Sequence, residues 1–428
     1  MKPSIICASL CAAMLLCIHT PALAQGESAV PFLLIAPSPG ANGWGGVSTA
    51  VASDDPIATF VNPGQLGLFS LDNYFAASTY APKTRWLPAF GNPDLTYNVT
   101  AANAGVNLAR VFDLKLPISI GLGYSRVFLN LGTFITTSPS SPGASTRHES
   151  WERSECFSLG VGVDYFVRLG VGVNFEKIVS NLSPIGTEQE MGTGRAEPSA
   201  TDVGVLLEAP IIDIVAKVKG EPVTLGSGLS PLVNLSIGYA HQNQGRSVSY
   251  VTAAMSDPLP RNAVLGISAE LGLVMDVDNR PWKVIAFTLA REAEDRLIVR
   301  NGNGTFEYQS GLGDISFFKH VIRGKLDDNE RPELHKGWQL EIGEAIAIRG
   351  GSFRESPNFG ARNYSTGGYG IRLAGFLRLL TAIDAGIQSD GMVSFLATHI
   401  DLAYDHAEYV TTGPLGSTTF NGVRIVIR

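Results

Sequence analysis

The dominant signal along the chain is a period of two. Between residues 157 and 165 the odd positions are Phe157, Leu159, Val161, Val163 and Tyr165, and the even ones are Ser158, Gly160, Gly162 and Asp164. Successive side chains of a strand point to opposite faces, so this spacing predicts a strand with one apolar face and one face of small or charged residues. Residues 168–176 repeat it, with Leu169, Val171, Val173 and Phe175 set against Arg168, Gly170, Gly172, Asn174 and Glu176. The link between the two segments is short enough for a hairpin. The pattern recurs at Ile118, Ile120, Leu122 and Tyr124 and at Val233, Leu235, Ile237 and Tyr239, with further copies in 265–273, 338–342, 369–373, 400–404 and 423–427. With weaker segments included, strands are predicted near residues 72, 94, 116, 150, 168, 199, 231, 261, 282, 335, 345, 367, 394 and 417. That is about fourteen, and an even number is the habit of single-chain bacterial outer-membrane barrels.

Alternation alone does not say which face is inside, because a soluble barrel or sandwich has the same period. The second face decides. It is built from Gly, Ser and Asn with scattered charges such as Glu270, Glu341, Arg372, Asp401 and Arg424, and charged residues make up only 17% of the chain where a soluble domain carries roughly 25%. Such a face suits a crowded lumen, and the apolar face suits lipid. In hydrocarbon every backbone polar group must be paired, which requires a closed barrel. The expected fold is therefore all-β, a transmembrane antiparallel β-barrel in contact with outer-membrane lipid. A secreted soluble all-β protein is the alternative that the same period allows. Tyr97, Trp151, Tyr165, Tyr239, Trp282, Trp338 and Tyr404, near predicted strand ends, are expected at the membrane interfaces. The polar stretches 137–150, 182–199, 241–260, 300–334 and 353–366 read as external loops, and the links at 164–168 and 343–345 as periplasmic turns. Segment 210–219, with Ile211, Ile212, Ile214, Val215 and Val218 at mixed spacing, fits either a short amphipathic helix or an extra strand.

The first 24 residues set the compartment. Lys2 precedes an apolar stretch over 5–18, then Pro21, then Ala22-Leu23-Ala24 ahead of Gln25. This is the order of a secretory signal peptide cleaved after Ala24, and the stretch is shorter than the roughly 20 residues that span a bilayer as a helix. Cys7, Cys11 and Cys17 fall inside this leader, and Cys156 remains alone in the mature chain, so no intrachain disulfide is expected. The chain divides into a signal peptide (1–24), an N-terminal segment (25–70) and a barrel (71–428), at the outer membrane of a Gram-negative-type bacterium.

The motifs of enzymes are missing. There is no His-Glu-x-x-His pair, Gly-x-Ser-x-Gly elbow, phosphate loop or Cys-x-x-Cys, and no cofactor or metal is expected. His399, Asp401 and Asp405 at period two read as lumen lining, and Asp276-Val277-Asp278-Asn279 lacks the Gly and distant Glu of a calcium loop. A net charge of −7 with dispersed basic residues excludes nucleic acid as a partner.

Residues 36–68 contain Ala36-Pro37, Ala41-Asn42-Gly43-Trp44-Gly45-Gly46-Val47, a small-residue run ending in Asp54-Asp55, and Asn62-Pro63-Gly64-Gln65-Leu66. This order resembles the N-terminal signature of the FadL-type outer-membrane proteins, and of their PorV/PorQ branch in particular. His335-Lys336-Gly337-Trp338 with Glu341, then Ile346-Ala347-Ile348-Arg349-Gly350-Gly351, and Asp401-Leu402-Ala403-Tyr404 are similar to that branch's later strands. Gly64 departs from the Ala common in the motif, as does the end at Arg428 without a terminal aromatic. The resemblance implies that residues 25–70 fold into the lumen as a hatch. Asp54 and Asp55 would pair with lumenal arginines such as Arg349 or Arg372, and Glu341, His399 and Asp401 would line the lumen. On residue chemistry alone, Asn62-Pro63-Gly64 is a turn, with or without a further role. The PorV/PorQ likeness implies a part in type IX protein secretion, with secreted cargo or secretion machinery as partners. The broader FadL likeness implies the alternative, a channel admitting a hydrophobic small molecule. Mature protein recovered from outer membranes is expected to begin at Gln25, and N-terminal sequencing that finds Met1 would remove the leader assignment.

Overall fold

The computed structural model describes residues 28–428 except 114–116, 139–140, 184–193, 227, 251–255, 278–279, 302–304 and 384–390. The expected leader lies outside the described residues. Fourteen strands form one antiparallel ring: β1 (Phe75–Tyr80), β2 (Thr96–Asn107), β3 (Ile118–Ser138), β4 (Ser141–Asp164), β5 (Arg168–Ser183), β6 (Ser199–Pro210), β7 (Leu229–Gly245), β8 (Asn262–Val277), β9 (Arg280–Arg296), β10 (Glu333–Ile342), β11 (Ile346–Arg354), β12 (Asn363–Arg372), β13 (Ile400–Val410) and β14 (Thr419–Ile427). The ring closes because β1 pairs on one side with β2, Phe75 opposite Ala104, and on the other with β14, Phe75 opposite Ile427. No edge of this sheet is left to seek a partner, the condition for crossing hydrocarbon with strands.

The faces are inverted relative to a soluble barrel. In β4, Phe157 is 61% exposed while its neighbour Ser158 is 4% exposed. Outward-facing Leu122, Val171, Leu235, Phe287, Ile348, Tyr369 and Val423 continue the apolar belt around the ring. A water-soluble alternative would bury that belt, so the molecule is a membrane-spanning barrel. Of the aromatics expected at the interfaces, Trp338 and Tyr165 face outward, whereas Tyr97 and Trp282 are buried; the Trp282 indole donates to the Gly343 carbonyl at 2.9 Å. Tyr97 lies in the inward phase of its strand, whereas Trp282, opposite Met275 beyond a register shift, is buried by packing against the 343–345 link.

Three-residue links at 165–167 and 343–345 share one rim, with the helix-bearing links after Pro210 and Arg372, and these tight links assign that rim to the periplasm. Two expectations are corrected. The stretch 137–150, read as a loop, continues the β3–β4 hairpin, with Phe134 opposite His148 and Thr137 opposite Ser145. Cross-strand pairing persists there although the residues are polar, because each strand supplies the other's backbone partners. The strand expected near 394 begins at Ile400, and the residues before it form a helix at the periplasmic rim. Among the described residues, the α-helices of five residues or more are α1 (Gly64–Asp72), α2 (Leu108–Phe112), α3 (Ile211–Lys219), α4 (Leu373–Ile383) and α5 (Gly391–His399). Segment 210–219 thus takes the helical of its two readings, capped by Gly220 at φ 76°.

Residues 28–73 run inside the ring. Residues 64–71 of α1 are all buried, against the inner faces of β2 to β6. That approach depends on inward-facing glycines. A Cβ on Gly105, Gly121, Gly160, Gly162, Gly170, Gly172 or Gly204 would overlap atoms of residues 62–70. The small positions of the alternation are therefore where one layer of backbone meets another. Gly172→Val would drive a side chain into the Pro63 carbonyl, at a cost of about 1–3 kcal/mol. Barrel assembly, read by heat-modifiable gel migration, is expected to persist, while residues 28–73 become protease-sensitive. Gly367→Ala, which adds a methyl where no other atom lies within 4 Å, is expected to change neither.

Candidate functional site: the filled lumen

The lumenal segment is held differently at its two levels. Towards the external rim the inner barrel wall turns apolar. Val30, Phe32, Leu33, Ile35, Ile57 and Phe60 of the segment pack against Tyr80, Tyr97, Val99, Val127, Leu129, Ile178, Tyr409 and Phe420 of the wall. The wall aromatics support one another edge to face, with Tyr80 and Tyr97 ring centroids 5.9 Å apart and Tyr80 and Phe420 6.4 Å apart. Their hydroxyls are satisfied by the segment itself: Tyr80 donates to the Pro37 carbonyl at 2.7 Å, Tyr97 to that of Ile35 at 3.2 Å and Tyr409 to Asn42 Oδ1 at 2.6 Å.

Below this layer the contacts are polar. Asn62 makes three bonds: its Nδ2 donates to the Thr49 carbonyl at 2.8 Å and the Val205 carbonyl of β6 at 3.1 Å, while Oδ1 accepts from Gly64 N at 2.9 Å. Pro63, with φ −62°, then caps α1. Gly64 is helical, and its value is close approach: a Cβ there would lie 2.9 Å from the Gly170 carbonyl oxygen and Leu206 N. The Asn62-Pro63-Gly64 motif is therefore a turn that also fastens to the wall. Gln65 extends the same role, donating to the carbonyls of Ser48 at 2.8 Å and Val51 at 2.7 Å.

The two acids part company. Asp54 sits between Arg372, Arg424 at 3.3 Å and Arg428 at 3.0 Å. Burial alone would raise its carboxyl pKa, but the three guanidiniums hold it well below the usual carboxylate range. Among the described residues no arginine lies within ion-pair distance of Asp55. It accepts from Ser38 Oγ at 2.7 Å and Ile57 N at 3.1 Å, and its burial raises its pKa. The wall completes the ion cluster: Arg372 Nε donates to Asp401 at 2.8 Å and lies 3.6 Å from Glu341, and Asp405 takes Arg349 and, at 3.6 Å, Arg424. Arg349 thus pairs with Asp405 rather than with the N-terminal acids. His399 is not in strand phase with Asp401. It ends α5, with Nδ1 bonded to the Phe395 carbonyl at 3.1 Å and its ring stacked on Phe395. Residues of this cluster border a polar cavity of about 820 Å³ that opens towards the periplasmic rim, also lined by Lys283, Glu270, Arg168 and Asp72. Arg428 was not among the expected partners of Asp54, although it continues the inward phase of Arg424 and Val426.

No protein-family model matches the sequence, and no curated protein does. Among solved structures, the chain is similar to CdiB from Acinetobacter baumannii (10% identity, TM-score 0.32, 82% of this chain), of which it spans 59%. It is also similar to the CymD monoaromatic hydrocarbon channel (9% identity, TM-score 0.35, 91% of this chain and 96% of that one). A Pseudomonas aeruginosa FadL homologue matches at 11% identity and TM-score 0.32, over 91% of this chain and 96% of the homologue. The barrel assignment rests on the closed strand pairing.

Removing one member of a buried charge group leaves the others uncompensated. Because Asp54 keeps 18% of its side chain exposed, Asp54→Asn is expected to weaken docking of the segment by about 1–3 kcal/mol, less than for a fully buried pair. Asp55→Asn, which replaces a carboxylate disfavoured by burial, is expected to cost under about 0.5 kcal/mol. Hydrogen exchange of residues 50–60 checks both, and equal effects would contradict this assignment.

Proposed function

We propose that the protein is a gated outer-membrane channel for small apolar molecules, with residues 28–73 as its hatch. The observation that carries this reading is the apolar inner wall near the external rim. A water-filled pore keeps a polar lumen throughout, whereas here Tyr80, Tyr97, Val99, Leu129, Ile178 and Phe420 form an apolar lining at the level where a solute would enter. The short run Val30–Ile35 covers that lining, so an apolar solute could replace Phe32, Leu33 and Ile35 in kind, at little net cost in buried area. The polar cluster below would then mark the level at which the solute leaves apolar surroundings. Displacement of the first part of the segment leaves α1 and its glycine contacts in place, which suits gating of the upper layer rather than ejection of the whole plug.

A second reading, an export role of the PorV/PorQ kind with secreted proteins or secretion machinery as partners, is favoured by a different observation. The β3–β4 hairpin projects past both neighbouring strands and exposes Phe134 and Ile135 beyond the barrel. Such an apolar tip suits contact with a protein at the cell surface.

Deletion of 30–68 is expected to raise conductance in planar bilayers far more than Asp54→Asn or Asp55→Asn. A gene deletion is expected to slow uptake of a small aromatic hydrocarbon while leaving the secreted proteins unchanged. Unchanged uptake with a depleted secretome would reverse the order of the two readings.

A further inference from the structure

The inner faces of β9 and β10 carry a charged group that neither reading uses. Glu294 stands directly opposite Glu333, and Glu292 opposite His335. Ligand-type atoms of Glu294, Glu333 and His335 lie within 4.8 Å of one another. Each side chain is already oriented by a neighbour. Glu294 Oε1 accepts from Asn262 at 2.6 Å, which leaves Oε2 facing His335 Nε2 at 3.6 Å. Glu333 takes Arg296 at 2.8 Å and Arg362 at 3.4 Å, both on Oε1. His335 Nδ1 donates to the Gly45 carbonyl at 2.8 Å.

That last bond determines the rest. A carbonyl only accepts, so Nδ1 carries a proton and the neutral ring has its lone pair on Nε2. Nε2 is buried and has no hydrogen-bond partner among the described residues. A lone pair aimed at a carboxylate oxygen is repelled unless something positive lies between them. The local composition points the same way: among the described residues, the four carboxyl groups of Glu292, Glu294, Glu333 and Glu355 meet two guanidiniums, Arg296 and Arg362, and the His335 ring. A backbone carbonyl on one imidazole nitrogen with a ligand position on the other is the usual outer support of a metal-binding histidine.

We propose that Glu294, Glu333 and His335 bind one divalent cation of the zinc class, with His335 Nε2, Glu294 Oε2 and a Glu333 oxygen as protein ligands and water completing the tetrahedron. An imidazole ligand favours zinc over the oxygen-only preference of calcium. Gly45 lies in the glycine turn of the lumenal segment, where Gly45 and Gly46 have φ of 83° and 82°. The ion therefore fastens that turn to the wall through His335, at the opposite side of the lumen from the glycine-packed α1. This inference does not depend on what the channel carries.

The test uses the mature chain in detergent, stripped with EDTA and dialysed against graded ZnCl₂ with metal content measured. One zinc per chain is expected, with increased protease protection of residues 28–73. His335→Gln and Glu294→Gln are each expected to weaken binding at least tenfold, with folding of both checked by heat-modifiable migration. If His335→Gln does not fold, Glu294→Gln decides. Absence of zinc binding by the wild-type chain, equal affinity in the folded variants, or preference for Ca²⁺ would overturn the proposal. The first outcome would leave His335 as an imidazolium paired with Glu294.

Discussion

A strand inside hydrocarbon has no water to bond its backbone, and every other feature of this protein follows from that constraint. The sheet must close, and it does so through the six-residue β1, paired on both sides. Closure makes an outside that meets lipid and an inside that does not, so the alternation of each strand becomes a division between solvents. Fourteen strands enclose more space than their own small inward side chains can fill. Something else must occupy it, and residues 28–73 do.

The way that segment is held reflects two kinds of packing. At the level of α1 the wall is glycine, so helix and sheet approach backbone to backbone, with dispersion and shape as the main attraction. Across the lumen, Asp54 joins three wall carboxylates (Glu341, Asp401, Asp405) and four guanidiniums (Arg349, Arg372, Arg424, Arg428) into one network, in which Arg372 reaches Asp54, Asp401 and Glu341. Nearer the external rim the contacts become apolar and are made by a short run of chain without regular helix or strand beyond one turn. Contacts of the first kind are lost all at once when broken. Those of the last kind can be exchanged piecemeal for another apolar surface. The lumenal segment is thus packed backbone to backbone at the level of α1 and side chain to side chain nearer the external rim.

The N-terminal motif gains its meaning from the same arrangement. Asn62 and Gln65 spend their amide groups on carbonyls of residues 48–51 and on β6, so they fold the segment on itself and fasten it to the wall at once. Glu292 of β9 answers by accepting from Ser48 N at 3.1 Å and Ala50 N at 2.9 Å. Those backbone donors would otherwise be buried unpaired, at a cost comparable to a lost hydrogen bond.

The period-two pattern by itself determined the strands, their approximate places and the lipid-facing side, because a strand's faces are local and each residue reports its own solvent. The chain could also mark Asp54, Arg372, Glu341 and Asp401 as lumenal, since each sits in polar phase or beside the turn motif. It could not say that Asp54 takes three arginines while Asp55 takes none, or that Arg349 answers Asp405. Arg349 and Asp405 lie 56 residues apart and Arg372 and Asp54 318 apart, and adjacent side chains on an irregular segment point to different walls. His399 borders the lumenal cavity as expected, but from the end of helix α5 rather than from a strand, because α5 continues an apolar run that reads locally as strand. Nor could the sequence distinguish a glycine that turns from one that admits another backbone, as at Gly64. That difference depends on what stands opposite, which the tertiary structure alone decides.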